Sequence, residues 1–130
     1  MRKQITAALV AIAVLAGGAA HSQSPLLGQE KKILGMIKAN WVSFRDFNGQ
    51  QLIYFTMLET YRCGIAEVRF SINSDALDKV WRLQPCDPKK PNAISTDRPY
   101  LSLPPGTASS IAVQLTFMDG SKSEIVHKTP

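Results

Sequence analysis

Two stretches of the chain alternate between apolar and polar positions over most of a strand's length. Ala66, Val68, Phe70 and Ile72 alternate with Ile65, Glu67, Arg69 and Ser71, the period-two pattern of a half-buried β-strand. Ile111, Val113, Leu115 and Phe117 repeat the pattern, Asp119-Gly120 supplies a turn, and residues 122–128 return. Residues 51–59 differ in being apolar on both faces, with Ile53, Phe55 and Met57 on one and Leu52, Tyr54 and Leu58 on the other. A strand of that kind is covered on both sides, or is covered on one side and carries a binding surface on the other. Residues 41–47 precede it across Asn48-Gly49, a pair that takes up positive φ readily and predicts a tight hairpin. Residues 60–64 then turn the chain into the alternating strand 65–72. Asn73-Ser74-Asp75 offers turn chemistry before a strand over residues 79–84, and residues 100–103 form a short strand stopped by Pro104-Pro105-Gly106. Seven strands joined mainly by short turns predict an antiparallel β-sandwich.

The two ends of this body read differently. Leu26, Leu27, Ile33, Leu34 and Ile37 recur at helical spacing, which predicts a short amphipathic helix ending near Ala39-Asn40 and packing over an open end or face of the domain. Residues 87–99, DPKKPNAISTDRP, hold three prolines and no periodicity, so they read as one long surface loop. The first 22 residues have the three parts of a secretory signal: Arg2 and Lys3, an apolar run over residues 5–16, and small residues at 17–20. Ala20-His21-Ser22 places the cut between Ser22 and Gln23. The run is shorter than the roughly 20 residues needed to span a bilayer. The expected organisation is therefore a cleaved signal over residues 1–22, a lead and helix over 23–39, and a single sandwich domain over 40–130.

The seven-strand order and the strand Gly-Ile-Ala-Glu-Val-Arg-Phe-Ser-Ile at residues 64–72 resemble immunoglobulin-like or fibronectin type III-like sandwiches. The likeness covers about 90 residues and implies the fold alone.

Cysteine use fits an exported protein. Cys63 and Cys86 form the one possible pair, closing a loop of about 24 residues whose bridge stabilises by roughly 3 kcal/mol in the chain-entropy model. If the strands run up and down in turn, the ends of the second and fourth strands share an edge and the two cysteines meet there. The short, Ala-rich signal has a bacterial style, so the periplasm is the expected location, with secretion as the alternative.

Charge and chemistry narrow the function by exclusion. Two of the 15 basic residues leave with the signal, and the remaining excess over 10 acidic residues is small and scattered, without the basic stripe of a nucleic-acid reader. Lys31-Lys32 and Lys89-Lys90 read as solvated surface. His127 is the one histidine after the cut, and there is no Gly-x-Ser-x-Gly, phosphate loop, His-Glu-x-x-His or clustered metal-ligand set. Glu59, Glu67 and Asp46 are the carboxylates from which an acid-base pair would have to be drawn. The chain is accordingly expected to be no enzyme and to need no cofactor or metal. What remains is recognition by surface. Arg45, Asp46, Asn48 and Gln50 surround the first turn, and Tyr54, Tyr61, Arg62 and Arg69 lie where the second and third strands would expose a face, Tyr and Arg being enriched at interface centres. The sequence thus predicts a module that binds another cell-envelope protein. A binder of envelope glycan or lipid head groups, and an inhibitor of an extracellular hydrolase acting through the 87–99 loop, are the alternatives.

Overall fold

The computed structural model describes residues 26–130; the expected signal over residues 1–22 and the expected cut between Ser22 and Gln23 lie outside the described residues. The chain forms helix α1 (Glu30–Met36), a 3₁₀ turn (Lys38–Asn40), strands β1 (Ser43–Phe47) and β2 (Gln50–Tyr54), helix α2 (Thr56–Thr60), a second 3₁₀ turn (Arg62–Gly64), and strands β3 (Ile65–Ile72), β4 (Lys79–Trp81), β5 (Tyr100–Leu103), β6 (Ile111–Phe117) and β7 (Val126–Lys128). The seven strands make two antiparallel sheets, a three-stranded one in the order β1-β2-β5 and a four-stranded one in the order β4-β3-β6-β7. The mainly β, sandwich-like architecture and its disulfide are as the sequence predicts. The fourth strand joins the third, which sets this order apart from that of antibody constant domains, where the sheets divide as ABED and CFG.

Alternation puts one set of side chains between the sheets. Ile53 from β2, Val68 and Phe70 from β3, and Ile111, Val113, Leu115 and Phe117 from β6 are buried there with Trp41, Phe55 and Leu58, and Phe44, Leu101 and Leu103 pack against them. The two hairpins turn where expected, with Asn48 at φ 55° and Gly49 at φ 75° in the first and Gly120 at φ 87° in the second. Both first-turn residues at positive φ match the twist of the flanking strands.

The strand expected over residues 51–59 stops at Tyr54. Phe55 donates its N–H to the Pro99 carbonyl at 2.7 Å, and α2 begins at the next residue. The physical reason is a change of burial period: Phe55, Leu58 and Glu59 are all buried while Thr56 and Met57 are not, which is the i, i+3, i+4 spacing of one helical face. A strand would have sent Leu58 away from Phe55. α2 carries the chain from one sheet to the other, so β2 and β3 are not neighbours and the up-and-down order does not hold. Cys63 and Cys86 nevertheless bond, with Cα atoms 4.8 Å apart. They meet because the second 3₁₀ turn and the chain beyond β4 converge at one end of β3, not because two strands share an edge. β4 itself is shorter than expected, ending at Trp81.

Helix α1 packs on the domain. Leu34 is fully buried, its carbonyl accepts the Trp41 indole N–H at 2.9 Å, and Lys31 and Lys38 reach Asp119 and Glu124 beyond β6 at 2.8 and 2.9 Å. Lys128 of β7 donates to the Ala39 carbonyl. Among the described residues no helix is long and apolar enough to cross a membrane, and the intact disulfide is compatible with an oxidising, extracytoplasmic compartment.

Candidate functional site

Cross-strand register divides the three-stranded sheet into two faces. Phe44, Ile53 and Leu101 form one row toward the core, with Asp46, Gln51 and Leu103 beside it. The intervening rows are Ser43–Tyr54–Tyr100, Arg45–Leu52–Ser102 and Phe47–Gln50, and these point outward by the pleat. Leu52 is the middle of this outer face. It is only 4% exposed yet stands apart from the core cluster. Tyr54 and Tyr100 lie with ring centroids 5.2 Å apart and planes tilted by 52°. The Arg45 guanidinium sits 4.2 Å above the Phe47 ring and donates to the Tyr54 hydroxyl at 3.5 Å. Ser102 donates to Gln50 Oε1 at 2.6 Å. Phe47 is about half exposed. No carboxylate pairs with Arg45 among the described residues.

β1 is also an edge strand, open on the side away from β2. In an antiparallel pair every second residue turns its N–H and C=O away from its partner, so β1 offers a row of backbone groups beside the outer face. The other edge of this sheet, β5, is flanked by Pro99 and by Pro104-Pro105, which blunts it against pairing. β1 contains no proline.

Of the eight residues that the sequence singled out for a binding face, Arg45, Gln50 and Tyr54 share this surface. Asp46 and Asn48 stay at the hairpin end, where with Phe47 and Gln50 they line a cleft of about 270 Å³ closed by Pro105 and Gly106. The other three fall elsewhere. Tyr61 is half-buried against the core. Arg69 points from the outer face of the four-stranded sheet and pairs with Glu67 at 3.1 Å.

Arg62 is buried, at 6% exposure. Its Nε donates to the Pro85 carbonyl at 2.8 Å, and its Nη1 to the carbonyls of Glu59 at 3.0 Å and Pro91 at 3.5 Å. It therefore braces a loop and is not available to a partner. Phe47, Leu52, Tyr100 and Ser102 complete the face and were not identified from sequence as site residues. The signal for Leu52 was present, since residues 51–59 are apolar on both faces. Tyr100 reaches the face only through pairing across some 46 residues, which no local pattern discloses.

The carboxylates do not assemble as an acid-base pair. Glu59, 1% exposed, is consumed by the Trp81 indole N–H at 2.9 Å and by the backbone and side-chain N–H groups of Gln84 at 3.1 and 3.4 Å. Glu67 lies on the opposite, exposed side of β3 with Arg69. His127 stands on the edge strand β7, its Nε2 2.9 Å from Asp75. The hydrogen bonds of Lys31 and Ser121 hold the Asp119 carboxyl well below the usual carboxylate range, so the Lys31–Asp119 pair stays ionised into acid. No group of three or more His, Cys, Asp or Glu residues that could hold a metal occurs among the described residues.

The 87–99 loop is pinned along its length. Pro91 is buried, Asn92 donates to the Thr60 carbonyl at 2.9 Å, and Ser95 donates to Gln84 Oε1 through both its N–H and its hydroxyl. A cleft of about 590 Å³ opens beside the disulfide between the start of β3 and residues 82–86. β4 pairs with β3 only as far as Val68 and Trp81, so the first residues of β3 have no β4 partner there, and Glu59 holds Gln84 just beyond the strand's end. Comparison with protein-family models, with curated proteins and with solved structures finds no match to this chain.

Proposed function

We propose that the protein is a non-catalytic recognition module of the cell envelope that binds another envelope protein through the outer face of the β1-β2-β5 sheet. The observation that carries the reading is the Arg45–Phe47–Leu52–Tyr54–Tyr100 cluster beside the open edge of β1. A flat surface of Tyr, Phe and Arg around a dry Leu has the make-up of an interface centre. The unpaired Arg45 cation calls for a carboxylate on the partner, and the β1 edge can take an added strand. Glycan binding is less well supported, because rings tilted at 52° offer no flat platform for a sugar. The pinned 87–99 loop is likewise a poor inhibitory finger.

The test is a photo-crosslinking amino acid placed at Ser102, in the middle of the face, and at Asp78, exposed beside the other sheet, in a tagged chain expressed in intact cells. One dominant protein adduct is expected from position 102 and not from 78, and Arg45→Ala with Tyr100→Ala should remove it. Adducts equal at both positions, or recovery only with glycan or lipid, would overturn the reading.

A further inference from the structure

The cleft between α1 and the β6–β7 turn holds a buried group that the fold leaves unused. Glu30, the first residue of α1, is 3% exposed, and its Cβ and Cγ lie against Gly64, where any side chain would block the approach. One carboxylate oxygen accepts the Gly28 N–H at 2.8 Å. The other, Oε2, is buried and has no hydrogen-bond partner among the described residues. Buried side-chain oxygens are nearly always paired, and a carboxylate oxygen is a strong acceptor for a charged donor. The lysine that lines the same cleft is already committed: Lys31 Nζ lies 2.8 Å from Asp119 and 5.5 Å from the centre of the Phe117 ring.

Glu30 forms part of the wall of a cleft of about 400 Å³, together with Leu27, Gly64, Phe117 and Met118, with Lys31 and Asp119 beside them. Two acids against one base make this cleft anionic in a chain whose formal net charge is +5. Its other walls are largely apolar, and Met118, 66% exposed, is an adaptable side chain shared with the larger cleft beside the disulfide.

We propose that this cleft is a recognition subsite for a basic side chain of a protein partner, with the Glu30 carboxylate, uncovered as the cleft walls adjust, as its acceptor. A guanidinium suits it best. Its fork donates to a carboxylate, and its methylene stem covers Leu27, Phe117 and Met118 while the charge is satisfied at the end. The subsite shares no residue with the β1-β2-β5 face, so either proposal can fail alone.

The experiment uses the oxidised protein labelled with ¹⁵N and titrated with N-acetyl-arginine methylamide, against the neutral isostere N-acetyl-citrulline methylamide. Saturable amide shifts are expected at Gly28, Gly64 and Met118 with a millimolar dissociation constant, as befits one side chain. Binding should be at least about tenfold weaker for citrulline. Glu30→Gln keeps an oxygen for the Gly28 N–H and should weaken the arginine probe by a similar factor, whereas Tyr100→Ala should not change it. No saturable shift, equal binding of the two probes, or undiminished binding by Glu30→Gln would overturn the proposal. If Glu30→Gln does not fold, the arginine and citrulline comparison on the unaltered protein decides alone.

Discussion

Removing the carboxylate of Glu59 tests whether one buried acid holds the irregular half of this sandwich in place. Glu59 accepts from the Trp81 indole and from Gln84, and its own carbonyl accepts from Arg62, which also binds Pro85. In Glu59→Gln the shape is kept, but one oxygen becomes an N–H₂ group that faces a donor. Either the Trp81 bond to one oxygen or the two Gln84 bonds to the other are lost, and the donors concerned are left unpaired. All three donors are part-buried, so the lower part of the range of about 1–3 kcal/mol for an unsatisfied group applies. The expected loss is about 1–2 kcal/mol, or roughly 5–15 °C in Tm for a domain of this size.

Glu59→Ala leaves all three donors unpaired and opens a cavity beside Trp81, for about 3–5 kcal/mol. That is a large share of the stability usual for a small domain, about 5–15 kcal/mol. Urea unfolding followed by tryptophan fluorescence reads the loss. Trp81 is a local probe, since its ring stacks on Phe55 at 4.2 Å and 4°. A double-mutant cycle with Trp81→Phe, which removes the donor and keeps an aromatic ring for the stack, should give a coupling of about 1 kcal/mol with Glu59→Gln. A coupling near zero, or a Glu59→Gln protein as stable as the parent, would refute the role given to the carboxylate.

Two further substitutions probe neighbouring joints. Gly64→Ala would place its Cβ against Glu30 Cβ and Cγ; α1 must shift, at about 1–3 kcal/mol for an overpacked contact, and amide exchange over Glu30–Met36 should quicken. Unchanged exchange there would show that α1 docks without this close approach. Replacing both Cys63 and Cys86 with Ala should cost about 3 kcal/mol through the freed unfolded chain. The native near-ultraviolet spectrum should persist, because Glu59 and Arg62 tie the same segments; an unaltered urea midpoint would contradict the first part and a lost spectrum the second.

What could be read from the sequence was local. Asn48-Gly49 and Asp119-Gly120 fixed their hairpins because turn chemistry acts within four residues, and Ile65–Ile72 and Ile111–Phe117 declared themselves by period two. The two cysteines could pair only with each other. The misreading of residues 55–60 has the same origin, for Phe55, Met57 and Leu58 satisfy a two-faced strand as well as a helix, and burial of Glu59 decides between them. A glutamate gives no sign of burial until the Trp81 and Gln84 donors are brought to it from 22 and 25 residues away. Sheet membership was equally hidden, since β2 pairs with β5 across a sequence gap that includes the whole crossover through β3 and β4.

Arg45 and Arg62 show how the same side chain divides between structure and recognition. Residues 82–92 have no strand or helix to satisfy their carbonyls, and buried carbonyls need donors. A guanidinium with five N–H groups, placed by the 3₁₀ turn after α2, reaches two carbonyls of that stretch, those of Pro85 and Pro91, and one of α2. Its charge is spent inside the fold. Arg45 stands on a regular strand, and among the described residues its donors meet only a long bond to Tyr54 and the face of Phe47. An arginine over a half-exposed ring contributes only about 0.5–1 kcal/mol at such a site. Its guanidinium is therefore free to pair with a carboxylate from outside, at the centre of the face that carries the proposed recognition.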